Sequence, residues 1–159
     1  MPTSSEPLVD VRLLSVPIPI RERSTEHGEE LLREMTLIAF DAANPTSDVP
    51  ARIVALADQV RGAYSEFTLH PNGLMDAAAE AGVPVLDEVV YRVPVSTGAF
   101  CQHIADVIDE ADAYCRDGEY LLTLATPPDV LAYQHWILGE FIRQTAGGPP
   151  TAWPDYTPS

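Results

Sequence analysis

Basic residues are scarce in this sequence, and their shortage argues against several classes of partner. Lysine and arginine together number 9 against 24 aspartate and glutamate residues, for a formal net charge of −15. Nucleic-acid binding depends largely on basic side chains that neutralise phosphates, so the composition argues against a direct nucleic-acid partner. A protein partner with a basic surface fits the charge better, because opposite charges steer two molecules together.

Cysteines and long apolar runs are scarce as well. The two cysteines, Cys101 and Cys115, are separated by fourteen positions, which corresponds to about 20 Å along a helix. A disulfide needs Cα atoms within about 7 Å, so the two cannot bridge on one helix. No apolar run reaches the roughly 18 residues of a membrane span, and the N-terminus lacks the basic and apolar regions of a signal peptide. We therefore expect a cytoplasmic protein with reduced thiols and no membrane association.

The hydrophobic content is nevertheless high enough for folding. Hydrophobic residues make up 46% of the 159 positions, whereas disordered acidic segments contain few of them. A chain of this length is typical of one domain. We place the domain at residues 8–146, with an N-terminal tail at 1–7 and a C-terminal tail at 147–159 that is rich in proline and glycine. Trp153 is a candidate for anchoring the second tail.

Hydrophobic spacing predicts two short strands and four to five helices. Alternating apolar residues predict strands over 8–16 and 85–93, and prolines follow both. Helical spacing and capping residues predict the helices. They run from Ser24 to about Phe40, from Asp48 onward, from Asn72 to Gly82, from Ser96 to Gly118 and from Thr126 to Gly147. The predicted fold class is mainly α, a helical bundle with a small two-stranded β accessory.

The second of these helices has a clear apolar stripe. Its predicted inner face consists of Ile53, Leu56, Ala57, Val60 and Tyr64. Such spacing places the side chains on one side of a helix, which is the side that packs against the rest of a domain.

Two predicted helices carry a histidine that is followed three and seven residues later by an acid. The residues are His27, Glu30 and Glu34 in one helix and His103, Asp106 and Glu110 in the other. This spacing aligns each triplet along one helix face. Imidazole and carboxylate groups on facing helices can bind zinc or iron. The order is the reverse of the Glu-x-x-His motif of di-iron bundles, and solvated polar helix faces produce the same pattern.

No other pattern indicates catalysis or a cofactor. The sequence has no Gly-x-Ser-x-Gly, P-loop, Gly-x-Gly-x-x-Gly or Cys-x-x-Cys motif. Cys101 and His103 are two positions apart and point about 200° away from each other on a helix, so they cannot act there as a nucleophile and its base. A non-enzymatic role without a cofactor is therefore favoured, and enzymatic activity stays open.

Residues 119–144 are the densest in aromatic side chains and form the candidate surface for a partner. The candidate contact residues are Tyr120, Tyr133, Trp136, Glu140 and Arg143. Aromatic and arginine side chains are enriched at the centres of protein–protein contacts. The same pattern is typical of a core helix with one amphipathic edge, and this alternative stays open.

Five segments of the sequence carry a resemblance. They are Glu110-Ala-Asp-Ala-Tyr-Cys-Arg-Asp-Gly118, Leu122-Thr-Leu-Ala-Thr-Pro-Pro128, Leu138-Gly-Glu-Phe-Ile-Arg-Gln144, Val11-Arg-Leu-Leu14 and the stretch from Glu26 to Glu34. These segments resemble small acidic actinobacterial proteins of unassigned activity, and the resemblance covers most of residues 8–153. Such proteins are encoded beside partner-switching components, namely an anti-sigma serine kinase, a STAS-domain antagonist and a phosphatase. The resemblance implies an association with regulation and carries no catalytic residue onto this chain.

Three functions follow as hypotheses. The first is a non-enzymatic regulatory or adaptor protein whose acidic body steers it to another protein in a partner-switching pathway. The second is a metal-binding helical-bundle enzyme or sensor that uses the two histidine triplets. The third is a small-ligand sensor with a pocket between the helices and the strand pair.

Overall fold

The computed structural model describes residues 6–39, 49–117 and 126–154, without the side chains of Val49 and 114–117. In these ranges the chain forms five α-helices and one two-stranded antiparallel sheet. The strands are β1, Leu8–Pro17, and β2, Val85–Pro94. The helices are α1, Ile18–Ala39; α2, Val49–Ala63; α3, Ser65–Glu80; α4, Thr97–Asp117; and α5, Pro128–Thr145. The predicted fold class, mainly helical with a small β accessory, is confirmed.

The sheet buries one face because apolar residues alternate along both strands. Leu13 of β1 lies opposite Val89 of β2, and both side chains are buried. Ser15 has a φ of 59°, a left-handed conformation that is uncommon outside glycine. The alternation reverses at this residue, so that Val16 is buried although it follows Leu13 by three positions. The β1 strand therefore delivers buried apolar side chains to the core from Val11 to Val16.

Two helices begin earlier than the sequence indicates. The first was predicted to begin at Ser24 and begins at Ile18. Pro19 is compatible with that start, because the N–H groups of a first helical turn have no acceptor within the helix. The third was predicted to begin at Asn72, yet α3 begins at Ser65 and continues through Pro71. A proline inside a helix costs about 3 kcal/mol, and the burial of Pro71 in the packed interior offsets that cost.

The fifth helix lies at the centre of the fold. It packs against α4, α1 and β1, whereas α2 packs against α1 and α4, and α3 against β2. The buried apolar residues of the sheet and of α5 form one core cluster. Trp136 is the largest fully buried side chain in that cluster, so the core is built around the middle of α5.

Residues 147–154, which were predicted to be part of a tail, pack against the body of the protein. The backbone N–H of Trp153 donates to the Leu14 carbonyl at 3.1 Å. The Trp153 ring lies edge-on against Trp136, with ring centroids 5.7 Å apart. We call residues 147–154 the C-terminal segment. The anchoring role expected of Trp153 matches these contacts, while 155–159 and 1–5 of the predicted tails lie outside the described residues.

Candidate functional site

The histidine triplet of α1 does not assemble into a metal site. The Nε2 atom of His27 lies 3.1 Å from Thr126 Oγ1, so this imidazole is engaged by a hydroxyl group. Glu30 is exposed and Glu34 is half-buried on the same helix. Across the described parts of the chain, no group of three or more histidine, cysteine, aspartate or glutamate side chains is arranged to hold a metal ion.

The second triplet lies on the solvent side of α4. His103, Asp106 and Glu110 are all exposed. The Asp106 carboxylate accepts a hydrogen bond of 3.1 Å from the amide of Gln102, and Glu110 forms an ion pair with Arg52 of α2. Solvated helix faces with local partners are the alternative that the sequence left open, and these positions fit it. The metal-binding hypothesis therefore gains no support from the described residues.

Three of the five candidate contact residues are in the interior. Tyr133, Trp136 and Glu140 are 4%, 0% and 0% exposed. Only Arg143 reaches solvent, and Tyr120 lies outside the described residues. The aromatic residues of α5 therefore belong to the core, because α5 is surrounded by α1, α4 and the sheet. In this conformation they do not form a surface that a partner can contact.

Glu140 holds the C-terminal segment and β1 onto α5. Its Oε1 accepts a 2.6 Å hydrogen bond from the backbone N–H of Thr151, and its Oε2 accepts one of 2.8 Å from Arg143. Gln144, one turn later, also donates to Glu140 and pairs with both the N–H and the carbonyl of Arg12 in β1. A buried carboxylate is tolerated when charged and neutral donors satisfy it. The sequence predicted a contact role for Glu140 and did not identify this structural one.

An apolar cavity of about 260 Å³ lies between β2, α4, α5 and the junction of α2 with α3. We call it the sheet cavity. Tyr64, Tyr91, Thr97, Cys101, Ile104 and Phe141 are among the residues that line it. One wall is the stacked pair of Tyr64 and Phe100, whose ring centroids are 4.5 Å apart. The location is the one expected for a pocket between the helices and the strand pair.

The sheet cavity is partly open to solvent, and its lining is apolar. Water in such a space finds no hydrogen-bonding partners on the walls, so its replacement by an apolar molecule is favourable. An apolar molecule also gains close contacts with the lining, as benzene does in an engineered cavity of about 150 Å³.

Thr97 places one unsatisfied polar group in this apolar surrounding. Its side chain opens α4 and is 5% exposed. Among the described residues, no hydrogen-bond partner lies within reach of its Oγ1 atom. A buried hydroxyl without a partner costs about 1–3 kcal/mol. The Oγ1 atom has almost no accessible surface, so a molecule in the cavity reaches it only when the Thr97 side chain turns about χ1, and threonine in a helix populates two such rotamers.

The remaining polar groups of the sheet cavity are neutral. Burial raises the pKa of the Cys101 thiol to about 12, so this cysteine is protonated at neutral pH and is a poor nucleophile. Burial also raises the pKa of Tyr91 to about 12, and its hydroxyl donates to Asn72 Oδ1 at 3.0 Å. None of the described residues that line the cavity is charged. A charged ligand would be buried there without a counter-ion, which is costly.

The sequence suggested a pocket between the helices and the strand pair but indicated none of the residues that would line it. The predicted inner residues of α2, Ile53 to Val60, do face the interior, yet they are only half-buried. Thr97 carries no sequence signal, because the absence of a partner depends on side chains that are distant along the chain.

Comparison with models of protein families, with curated proteins and with solved structures finds no match to this chain. Within residues 6–39, 49–117 and 126–154, no helix has both the length and the apolar character needed to cross a bilayer.

Proposed function

We propose that this protein binds a small, neutral and mainly apolar molecule in the sheet cavity. The observation that supports this most directly is the buried Thr97 hydroxyl, which has no partner among the described residues in an otherwise apolar space. An apolar cavity with one placed polar group is the usual composition of a small-molecule site. The apolar walls supply affinity, and the hydroxyl selects a ligand with one hydrogen-bonding group.

The charge distribution favours a neutral ligand. The net charge of −15 repels anions from the whole surface, and the cavity lining holds no counter-ion for a buried cation. The protonated thiol of Cys101 provides no nucleophile at neutral pH. Binding without chemistry, as in a sensor or a carrier, is therefore the function that this site supports best.

The regulatory hypothesis is compatible with this proposal, but the proposal does not depend on it. A ligand sensor can transmit its state to another protein, as expected for a component of a partner-switching pathway. Of the α5 residues expected to make that contact, only Arg143 lies outside the core, so the contact surface for a partner stays a prediction without an assigned patch.

Two probes that differ in one hydroxyl group test the proposal. Benzyl alcohol and toluene have similar size, and only the first can form a hydrogen bond with Thr97 Oγ1. We expect both to bind, measured by titration calorimetry and by chemical shifts of the cavity residues. Thr97→Val should weaken the binding of benzyl alcohol about 2- to 10-fold, which is the value of one hydrogen bond. It should leave the affinity for toluene unchanged.

A cavity-filling variant supplies the second part of the test. Cys101→Met extends a longer side chain into the sheet cavity and should weaken the binding of both probes. Cys101→Ala is the matched control, because it removes the same thiol without filling the space, and it should retain both. Undetectable binding of both probes to the unmodified protein, or unchanged affinity in Cys101→Met, would overturn the proposal.

A further inference from the structure

A second cavity lies next to the first, beneath the other end of α2. It has a volume of about 300 Å³ and lies between α1, α2, α4 and the start of α5. We call it the helix cavity. Leu31, Ile53, Leu56 and Ile108 provide apolar walls, and Gln134 is among its few polar neighbours.

Gln134 gives the helix cavity an unsatisfied polar atom of its own. The Nε2 atom donates to Ser24 Oγ at 3.3 Å. The Oε1 atom is buried and has no hydrogen-bond partner in the described chain. Exchanging the two ends of the amide does not remove the problem, because a single neighbouring hydroxyl can satisfy only one of them. Because this oxygen is buried, the Gln134 side chain must turn toward the helix cavity before a hydrogen-bond donor there can reach it.

The two cavities share a wall of two side chains. Val60 of α2 and Ile104 of α4 line both of them. The apolar stripe from Ile53 to Tyr64 runs over both cavities, and its eleven-residue separation spans about 16 Å at helical rise. Both are β-branched and keep one preferred χ1 rotamer in a helix, so the two spaces join through rotation of Ile104 about χ2.

We infer that the two cavities together form one elongated site. Its ligand is a neutral, mainly hydrocarbon chain with a hydrogen-bonding group at each end. One group contacts the Thr97 hydroxyl, and the other donates to the Gln134 carbonyl oxygen. An extended chain advances about 1.2 Å per bond, from about 3.6 Å over the three backbone bonds of a residue. A length of about 16 Å therefore corresponds to roughly a dozen bonds.

The polar groups at the edge of the helix cavity are consistent with a neutral ligand. His27 is engaged by Thr126, and Arg61, which also lines this cavity, is exposed to solvent. A carboxylate end group would gain an ion pair with Arg61. Its oxygen atoms, however, only accept hydrogen bonds and would leave Gln134 Oε1 unsatisfied. An alcohol or a primary amide satisfies that oxygen, and the acidic surface does not repel it.

A series of straight-chain alcohols tests the inference, which rests on the proposed function. Affinity should rise about fourfold per added carbon, the value of burying one methylene, from hexanol through decanol. If the cavities act separately, the rise should stop at the length that one cavity holds. An α,ω-diol of matching length should bind about 2- to 10-fold more tightly than the alcohol of equal length, because a second hydrogen bond forms. Decanoate serves as the charged probe, and tighter binding of decanoate than of decanol would overturn the neutral assignment.

Ala57→Leu provides the structural control, because Ala57 lines the helix cavity and is not among the residues that line the sheet cavity. It should remove the gain from long chains and leave hexanol and benzyl alcohol unchanged. Ala55→Leu is the matched variant, since Ala55 is exposed on the same helix, and it should change neither. An affinity plateau at short chains in the unmodified protein would overturn the elongated site while leaving the proposed function intact. Loss of binding for every alcohol, including the shortest, would overturn both.

Discussion

The surroundings of Glu140 and the space beneath α2 are packed in opposite ways. Around Glu140, a fully buried carboxylate has donors on both oxygens, and Gln144 satisfies the backbone N–H and carbonyl of Arg12. Beneath α2 lie the two cavities, lined in part by Thr97 and Gln134. Within the described residues, these two side chains hold the buried polar atoms that have no partner.

The difference shows that the empty volume is confined to one part of the fold, the space beneath α2. Protein interiors are close-packed, and the α5 side of this protein meets that standard with a fully buried tryptophan at its centre. The inner residues of α2 are only half-buried although their spacing is that of a core helix. Unsatisfied polar atoms and empty volume therefore occur together in one part of the fold, as expected where a ligand completes the packing.

Truncation of Trp136 should show the largest effect and sharpen this contrast. Trp136→Ala removes a fully buried ring and its 2.8 Å hydrogen bond to the Thr151 carbonyl, and should cost about 3–5 kcal/mol. Leu56→Ala, at a half-buried position that lines the helix cavity, should cost only about 1 kcal/mol, because fewer contacts are lost. Denaturant unfolding at equal m-values measures both. Equal losses in the free energy of unfolding at the two positions would contradict the difference in packing.

Substitution of Glu140 tests the hydrogen-bonding side of the comparison. Glu140→Ala should cost about 2–3 kcal/mol, because the Thr151 N–H loses its acceptor and Gln144 keeps only the Arg12 carbonyl. It should also release the C-terminal segment, which would expose Trp153 and shift its fluorescence to longer wavelength. Glu110→Ala is the control, because its ion pair with Arg52 is on the surface and is worth less than about 1 kcal/mol. An unchanged Trp153 environment in Glu140→Ala would contradict the anchoring role.

The elements of the fold could be predicted from local patterns, and their ends only in part. Alternation around Leu13 and Val89 predicted paired strands, and helical spacing predicted α4 and α5. The early starts of α1 and α3 could not be predicted in this way. Pro19 and Pro71 disfavour helix by local rules, and tertiary packing outweighed those rules for Pro71.

The site could be predicted only as a general location. Aromatic residues such as Trp136 pack equally well in a core or at a contact surface, and their burial depends on which elements surround α5. A pocket between the helices and the strands was among the hypotheses. The volume of this pocket and the isolation of the Thr97 hydroxyl depend on side chains from several elements. They therefore cannot be predicted from the spacing of residues within one segment.

Alkaline pH should destabilise the protein in part through Cys101. Burial raises the pKa of this thiol from 9.0 to about 12, so above pH 9.0 the unfolded state releases a proton that the folded state keeps. Stability is therefore intact below pH 9.0 and falls as pH rises toward about 12, by about 1.4 kcal/mol per pH unit. Cys101→Ala should lack this component of the slope. Identical slopes for the two proteins between pH 9 and 11 would contradict the burial of the thiol.

The smallest effect, and the sharpest test of the cavity side, is expected for Thr97→Val. In the free protein the substitution replaces an unsatisfied buried hydroxyl by a methyl group of similar shape, and should raise stability by about 1 kcal/mol. The same substitution should weaken the binding of benzyl alcohol, so this ligand should raise the free energy of unfolding less in the variant than in the unmodified protein. Thr97→Ser, which keeps the hydroxyl, should retain ligand stabilisation. Opposite signs for folding and binding distinguish a ligand-binding hydroxyl from a structural one, because a structural hydroxyl would make Thr97→Val destabilising without ligand.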